Sequence, residues 1–251
     1  MLLNTLALTV GTVWGKVWPI LFAILFFGII IALHEFGHFI TAKIFGIKVN
    51  EFAIGMGPTL LKKVKGETQY SLRLFPVGGF VSLEGEDEDS EDSRAFGNQK
   101  AWKRFIVIAA GATLNVILGL VLMGVVLGMD GRISTTVVSD VSQNLEQLGD
   151  TVKVGDEITS INGSHVVSAR DLYYQLYRDD DGVFDITLKR NGEKITLKDI
   201  NIQYNAEKGF CDFVVGSKKV SVLNIMPGAV KETASMTKLI FLSLADMIRG
   251  Q

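Results

Sequence analysis

The sequence predicts a membrane α-helical core with a membrane-associated β-hairpin, joined to a second unit of α+β class. Two long apolar stretches, at about 18–47 and 105–129, predict the core helices, because about 20 apolar residues cross the hydrocarbon layer of a bilayer. Alternating apolar and polar residues within 48–104 predict the hairpin. Strand, turn and helix patterns from residue 130 onward predict the α+β unit.

The first apolar stretch is read as a membrane span and not as a cleaved signal peptide. Residues 17–33 carry no charge, only Lys16 precedes them as a basic residue, and no small-residue cleavage site follows. The second stretch is also uncharged, and small residues recur along it, which suits close helix packing in a bilayer. Residues 1–129 are therefore predicted to form the membrane core.

Composition excludes several other classes of protein. The 251 residues carry a net charge of -2, so the chain lacks the basic surplus of a nucleic-acid-binding protein and no nucleic-acid partner is expected. A single cysteine, Cys211, excludes an intrachain disulfide and a cysteine-rich metal site. Only His34, His38 and His165 are histidines, and two of them interrupt the first apolar stretch.

The loop between the two spans predicts strands. A glycine, Gly66, lies at the centre of "KKVKGETQY" as a hairpin turn would, and Gly78 and Gly79 suggest a bulge or a close backbone approach. The loop is apolar, so it is expected to reach into the membrane. The acidic run 84–93 predicts a solvated mobile loop, and Ca²⁺ binding is the weaker alternative because the EF-hand ligand pattern is absent.

Lysine and arginine near the span ends predict the orientation. They concentrate between the two spans, at Lys43, Lys48, Lys100, Lys103 and Arg104. By the positive-inside rule, loop 48–104 is predicted to be cytoplasmic and the residues from 130 onward extracytoplasmic. The chain is therefore expected to be a multi-pass protein of the cell membrane.

The part of the chain after the second span divides into two predicted segments. Residues 130–205 form a compact unit with a helix in "ARDLYYQLYRD" and a hairpin around Asn191–Gly192. Residues 206–251 form a connector and an amphipathic helix at 237–250, which at 14 residues is too short to span a membrane. Before Pro227, "KKVSVLNIM" is interpreted as a further strand.

The residues that carry chemistry are His34, Glu35 and His38, which form an H-E-x-x-H motif. On a helix, residues four apart lie on one face, so both imidazoles can reach one Zn²⁺ ion. Glutamate in this motif is the general base that takes a proton from water. Two core histidines at this spacing by chance are the alternative, which is disfavoured because the motif interrupts a hydrophobic span.

Zinc in a catalytic site needs a third protein ligand, and the residues do not supply an evident one. His165 belongs to the α+β unit and is predicted to be a surface residue. Neither apolar span contains another carboxylate, and nothing in the spacing of Glu51 or of the acidic run recommends them. The metal site of these 251 residues is therefore predicted to be incomplete.

Four segments resemble the site-2 protease family of bacterial intramembrane zinc metalloproteases. The segments "ALHEFGHFITAKIFGIKVNEFAIGMGP" and "AWKRFIVIAAGATLNVILG" resemble its first and second spans, although Ala112 replaces a frequent proline before Asn115. "YSLRLFPVGGFVSLEGE" resembles its membrane-reentrant β-hairpin. "VKVGDEITSING" resembles the core of a PDZ domain, so 130–205 is expected to be PDZ-like and the chain to belong to the single-PDZ branch of regulator-of-sigma-factor proteases.

The resemblance implies a zinc endopeptidase that cuts pre-cleaved, single-span membrane proteins such as anti-sigma factors within the bilayer. It implies that the hairpin edge around Leu72–Val81 holds substrate as an added strand, and that the PDZ-like unit binds a peptide or filters substrates by size. The family's third ligand is an aspartate in a Leu-Asp-Gly pattern, which is absent here. The chain is therefore expected to be C-terminally truncated. A non-catalytic membrane PDZ adaptor with an incomplete metal site is the alternative.

Overall fold

The computed structural model describes residues 2–143, 151–179, 181–205 and 210–249. The chain divides into two compact units, Met1–Leu118 and Gly119–Gln251. The first contains helix α1 (Leu2–Ile44), strands β1 (Val49–Lys65) and β2 (Thr68–Leu83), and the start of helix α2 (Ala101–Asp130). The second contains the end of α2 and all later elements.

Both apolar helices are present, and both are longer than predicted. Among the described residues, two helices are long and apolar enough to cross a membrane, Trp14–Ile44 within α1 and Ala101–Asp130. Helix α1 ends at Ile44 and not at 47, because Gly46 takes a positive φ of 72° and closes the helix. There the Ile47 N–H donates to the Ala42 carbonyl at 2.9 Å, as expected of a glycine C-cap.

The predicted hairpin turns at Gly66, and its strands form more than one ladder. Residues 51–54 of β1 face 79–82 of β2 on one side and 69–72 on the other. Residue numbers rise together in the second set, so that stretch runs parallel, while the hairpin arms at 59–65 and 68–73 run antiparallel. Because 69–72 is paired on both sides, Leu72 does not lie at an edge as predicted. Among the described residues, 79–82 is paired on one side only and forms the edge.

Helix α1 packs on this sheet through aromatic side chains. Phe39 contacts Phe52 and Tyr70 with ring-centroid distances of 5.0 and 5.9 Å, and Phe36 lies 6.4 Å from Phe52. A small buried core lies beside them, formed by Ala42, Ile47, Val49, Leu83 and Val107. This packing holds the C-terminal part of α1 against the sheet.

The acidic run is more closely held than the predicted solvated loop. Glu84 accepts hydrogen bonds from Ser90 at 2.8 Å and from Asn50 at 3.0 Å, and it pairs with Lys48. These hydrogen bonds, that from Ser90 foremost, lower the pKa of Glu84 to about 2. Asp92 also pairs with Lys48, at 3.3 Å. Both ends of the run are therefore tied back to Lys48, which follows α1, while residues 86–89 between them are exposed.

The second unit is built on an antiparallel six-stranded sheet. Its strands are β3 (Arg132–Val141), β4 (Glu157–Ile161), β5 (Ser164–His165), β6 (Val183–Arg190), β7 (Glu193–Asn201) and β10 (Phe213–Lys219). The order is β10-β3-β4-β6-β7, with β5 paired to β4. Strands β8 (Tyr204–Asn205) and β9 (Phe210–Cys211) form a separate small pair.

Two predictions for this unit are confirmed. The hairpin of β6 and β7 turns at Asn191 and Gly192, whose φ values of 54° and 88° are the positive pair that such a turn requires. Helix α3 (Ala169–Tyr177) occupies the predicted helical segment, and the Ser168 side chain caps its first turn by accepting from the Asp171 N–H. Its buried face packs on a core that includes Leu172, Leu176 and Phe184.

The segment after β10 was predicted wrongly. Strand β10 ends at Lys219, so "VSVLNIM" is not a strand, and helix α4 (Ile225–Arg249) has 25 residues instead of the 14 predicted. Pro227 and Gly228 lie in its first turn and do not end a preceding strand. Proline is tolerated there because the first N–H groups of a helix have no intrahelical acceptor.

Candidate metal centre

Helix α1 places the three motif residues where it packs on α2 and the hairpin. His34 and His38 lie one turn apart, with their ring centroids separated by 4.8 Å and the ring planes at 75°. Glycine at position 37 allows close packing, since a Cβ there would lie 2.6 Å from the Ala110 carbonyl oxygen of α2. The motif therefore faces the start of the second apolar helix.

The two imidazoles converge on one point beside Gly111. A Cβ built on Gly111 would lie 2.5 Å from His38 Nε2 and 2.7 Å from His34 Nε2. Any side chain at this position would occupy the space in front of both nitrogens. The glycine thus leaves a small volume that two Nε2 atoms share, which is the geometry that a metal ion held by both requires.

The hydrogen bond of His38 establishes which of its nitrogens is free. Its Nδ1 lies 2.7 Å from the Val107 carbonyl oxygen, which can only accept, so Nδ1–H is the donor. In the neutral ring, Nε2 then carries the lone pair. A backbone carbonyl that holds the second nitrogen of a ligand histidine is the usual partner of such a ring in metal sites.

Asn115 gives His34 a comparable partner. Its side-chain amide lies 3.3 Å from His34 Nδ1, and its Oδ1 is a buried atom without a hydrogen-bond partner among the described residues. Rotation of the amide by half a turn exchanges its oxygen and nitrogen without a change of shape. Oδ1 then accepts from His34 Nδ1–H, and the Nε2 lone pair of His34 faces the space beside Gly111.

The Glu35 side chain points toward the hairpin, whereas the two histidines point toward α2. A Cβ on Gly79 would lie 3.4 Å from the Glu35 Cγ and 2.8 Å from the Ala53 carbonyl oxygen. The close approach that the sequence predicted at Gly78–Gly79 is therefore present, and it gives room to Glu35. Gly79 belongs to the 79–82 edge of the sheet, so Glu35 lies beside the free edge.

One carboxylate of the acidic run lies near the motif. Partial desolvation is the main cause that raises the pKa of Glu86, and the neighbouring charges of Asp87 and Glu35 raise it as well. The Leu83 N–H donates to its Oε2 at 3.4 Å. The sequence gave no reason to single out Glu86, since its spacing from the motif matches no ligand pattern.

No third metal ligand joins the two histidines in the part of the chain that the structure describes, where no three His, Cys, Asp or Glu side chains lie close enough to hold an ion. His165 is on the short strand β5 of the second unit, exposed as predicted. Sequence reasoning missed Gly111 and Val107 as parts of the site. The run of small residues in α2 was the one signal that pointed to close packing there.

An apolar cleft of about 660 Å³ lies between α1 and the hairpin. Its walls include Leu33, which directly precedes the motif, and Phe36, which lies within it. Ile54, Leu72 and Pro76 of the hairpin also line it. Arg73 is the charged residue in its lining, and it pairs with Glu51 at 3.0 Å. The cleft has the apolar walls that a hydrophobic segment of peptide would need.

Comparison with known proteins assigns the chain to a family. The model of "Peptidase family M50" matches residues 22–251, which includes α1 from residue 22 onward with the motif, the hairpin, all of α2 and the second unit. This chain belongs to peptidase family M50. The M50 family is membrane-embedded, and its members are zinc metalloproteases, so the predicted relation to site-2 proteases is confirmed at the level of the family.

Relatives from several bacteria carry names that describe them as candidate zinc metalloproteases. One from Clostridium acetobutylicum is 37% identical over 237 residues, which are 92% of this chain and 69% of the relative. One from Clostridium perfringens is 33% identical, with the same two coverages. One from Fusobacterium nucleatum is 35% identical over 71% of this chain and 54% of its own length. The single-PDZ branch and the domain limits 1–129, 130–205 and 206–251 stay predictions.

Proposed function

We propose that this protein is an intramembrane zinc endopeptidase that cleaves single-span membrane proteins within the bilayer. The observation that carries the proposal is the convergence of His34 and His38 Nε2 beside Glu35, on a helix apolar enough to span a membrane. Ionisable groups at such a depth are costly and mark functional sites. Membership of the M50 family supports the proteolytic chemistry.

We assign His34 and His38 as zinc ligands through Nε2. Two neutral imidazoles whose Nδ1 atoms face Val107 O and the Asn115 amide form a donor set that suits Zn²⁺. Zinc bound there supplies a Lewis acid for the scissile carbonyl and makes water acidic enough to lose a proton near neutral pH. The third ligand is proposed to be an acidic residue outside the motif, as in the Leu-Asp-Gly pattern of the family.

Glu35 is assigned as the catalytic base. It follows His34 directly and lies against Gly79, so its carboxylate can reach a water molecule placed between the histidines and the sheet edge. The carboxylate accepts a proton as the water oxygen attacks the peptide carbonyl, and it then delivers that proton to the departing amine. Both transfers require Glu35 to be ionised at the start of the cycle.

Substrate is proposed to enter along the hairpin. A transmembrane helix hides its amides in hydrogen bonds, so it must unwind before cleavage, and an extended segment needs new backbone partners. The 79–82 edge offers such partners beside Glu35, and the apolar cleft offers a surface for side chains. Pre-cleaved single-span proteins, such as anti-sigma factors, are the proposed substrate class.

The second unit is proposed to be PDZ-like, extracytoplasmic and able to bind a peptide. Strand β10 is the edge of the sheet next to β3. The Val215 N–H of that edge donates to Tyr173 Oη at 3.3 Å, so a peptide strand would displace Tyr173. Calorimetric titration of the full chain with peptides that end in free carboxylates would count against this role if no heat of binding were observed.

A non-catalytic membrane adaptor is the second candidate. It is favoured by one observation, namely that the described residues bring no third ligand to the two histidines. Glu35 argues against it, because an adaptor has no need of a base beside two converging imidazoles. The two candidates differ in whether the Glu35 carboxylate is needed in the cell.

A Glu35→Gln substitution separates the candidates. The amide keeps the size of the side chain but accepts no proton, so proteolysis is expected to stop while the fold is retained. The measurement is a quantitative membrane proteome of the native host with the full gene altered at this codon. Shortened single-span membrane proteins are expected to accumulate in the variant.

Glu88→Gln is the matched control. Glu88 is an exposed residue of the acidic run, and its substitution changes the net charge by the same amount. Its proteome should equal that of the wild type. Identical proteomes for Glu35→Gln and the wild type, with equal amounts of the protein, would overturn the endopeptidase and favour the adaptor.

A further inference from the structure

Helix α4 turns its polar side toward the rest of its unit. Ser235 shares a hydrogen bond of 2.8 Å with Ser168, and Lys238 pairs at 2.8 Å with Asp171, which is fully buried. Near the other end of the helix, Asp246 accepts two hydrogen bonds from Arg178. Lys238 in the middle of the helix and Asp246 near its end therefore face α3 and form ion pairs there.

The opposite side of α4 is apolar and exposed. It presents Ile240, Phe241, Leu244, Met247 and Ile248, and Phe241 and Ile248 are 69% and 83% accessible. A surface helix of a water-soluble domain has the reverse arrangement, with its apolar stripe toward the core. An exposed apolar patch of this size marks a surface that contacts a membrane or another protein.

A second apolar feature lies at the start of the same helix. Val222 and Leu223, in the turn between β10 and α4, are 92% and 89% accessible. The turn is held by Asn224, whose side chain accepts from the Ser221 N–H at 2.7 Å and donates to the Lys219 carbonyl at 2.9 Å. The two apolar side chains are thus presented outward by an ordered turn.

This turn lies where the apolar helix α2 ends. The Val220 N–H donates to the carbonyl of Gly131, one residue beyond the helix, at 3.1 Å. A Cβ on Gly228 would meet the Leu127 side chain at 3.3 Å, and one on Gly128 would meet Ile225 at 3.7 Å. The last turn of a candidate membrane span therefore contacts the first turn of α4, so α4 begins at the level where the chain leaves the bilayer.

Cationic side chains surround the apolar turn. Arg132, Lys218 and Lys219 lie on the neighbouring ends of β3 and β10 and are exposed. None of the three forms an ion pair with the residues that the structure describes. Unpaired cations beside exposed apolar groups match a bilayer surface with anionic headgroups, because the apolar groups enter the acyl region while the cations meet phosphate.

We propose that Val222, Leu223 and the apolar side of α4 form a lipid-contact surface that binds a bilayer containing anionic headgroups. The two charge pairs with α3 orient the helix so that this surface faces outward. The unit is thereby held against the membrane at a second place besides its covalent link to α2. This proposal is independent of the proteolytic function and of the metal.

The test uses the full chain in lipid nanodiscs with an environment-sensitive NBD probe. In a Cys211→Ser background, single cysteines at Leu223→Cys and at Leu244→Cys carry the probe. The lipids hold a nitroxide near the top of the acyl chain, which quenches fluorophores in contact with lipid. Both probes are expected to lose most of their emission.

Glu193→Cys is the matched control, because Glu193 is exposed at the far hairpin turn of the same unit and should retain its emission. Emission at 223 and 244 equal to that of the control overturns the proposal by showing contact with water. A blue-shifted spectrum without quenching overturns it by showing contact with protein.

The lipid chemistry is tested by discs of zwitterionic lipid alone and discs that also contain phosphatidylglycerol. Quenching at 223 is expected to be greater with the anionic lipid, and the paired change Lys218→Gln and Lys219→Gln should remove that difference. Quenching that does not depend on the anionic lipid would overturn the headgroup preference.

Discussion

At the scale of single residues, the candidate metal centre requires that position 111 carry no side chain. Gly111 leaves open the space in front of His34 and His38 Nε2, where a Cβ would lie within 2.7 Å of both atoms. Zinc bound by imidazole needs about 2.0–2.1 Å to each nitrogen, so a methyl group and the metal compete for one volume.

We therefore predict that Gly111→Ala removes zinc binding. Zinc per chain, measured by inductively coupled plasma mass spectrometry on the purified full-length protein, should fall to background. Gly119→Ala is the control on the same helix, because a Cβ at 119 meets nothing within 4 Å, and it should retain the zinc content of the wild type. Full zinc content in Gly111→Ala would place the metal elsewhere.

The motif residues were predictable and their partners were not. His34, Glu35 and His38 lie within five consecutive residues, and helical periodicity alone puts the two histidines on one face. Val107 and Asn115 meet the histidines across 69 and 81 residues of chain. A contact over that separation depends on how two helices pack, which local sequence patterns do not encode.

At the scale of elements, the attachment of α4 to α3 is electrostatic. Asp246 accepts from Arg178 Nε at 2.7 Å and from Tyr174 Oη at 3.1 Å. The hydrogen bonds from Arg178 are the main cause that lowers the pKa of Asp246, and Asp246 in turn raises the pKa of Arg178. An aspartate with a lowered pKa stabilises the folded state above its unfolded pKa of about 4, and that stabilisation is lost as the pH falls through the lowered value.

We predict that Asp246→Asn speeds hydrogen exchange in α4 at pH 6. Below the lowered pKa of Asp246 the substitution should have little effect. The measurement is hydrogen exchange by mass spectrometry, as the ratio of exchange rates of α4 peptides in variant and wild type. The ratio cancels the intrinsic pH dependence of exchange, since the same amides are compared. It should be several-fold at pH 6 and approach one below the lowered pKa of Asp246.

Asp89→Asn removes the same charge from an exposed position in the first unit and should leave the ratio at one throughout. A ratio for Asp246→Asn that does not vary between pH 6 and the acid limit would show that the carboxylate charge does not hold the helix.

The length of α4 could not be predicted because its start breaks the usual pattern. Pro227 and Gly228 read as a turn after a strand, whereas the structure uses them in the first helical turn. Gly228 is buried there against Ile133 and Leu127. Glycine at 228 is thus explained by a tertiary contact, which the local sequence does not reveal. Only the amphipathic pattern from 237 onward indicated a helix.

At the scale of the whole molecule, apolar length and alternation predicted most of the architecture. Two long apolar helices, a β-hairpin and an antiparallel sheet unit follow from patterns that span 10–30 residues. The double pairing of 51–54 within the hairpin was not predictable, because β-ladders between non-adjacent segments depend on which edges meet. Orientation in the membrane is a separate matter, since it depends on charges at the ends of the spans.

We predict that the hairpin is cytoplasmic and the second unit extracytoplasmic, because the basic residues that flank the spans concentrate between them. In a Cys211→Ser background, Lys194→Cys should react with a membrane-impermeant maleimide in intact cells whose outer barriers have been removed. Lys65→Cys, exposed at the hairpin turn, should react only after the membrane is permeabilised. The reverse pattern would show the opposite orientation in the membrane, with the hairpin on the extracytoplasmic side. Labelling of both positions in intact cells would contradict a membrane crossing between them, since α2 would then not separate the two compartments.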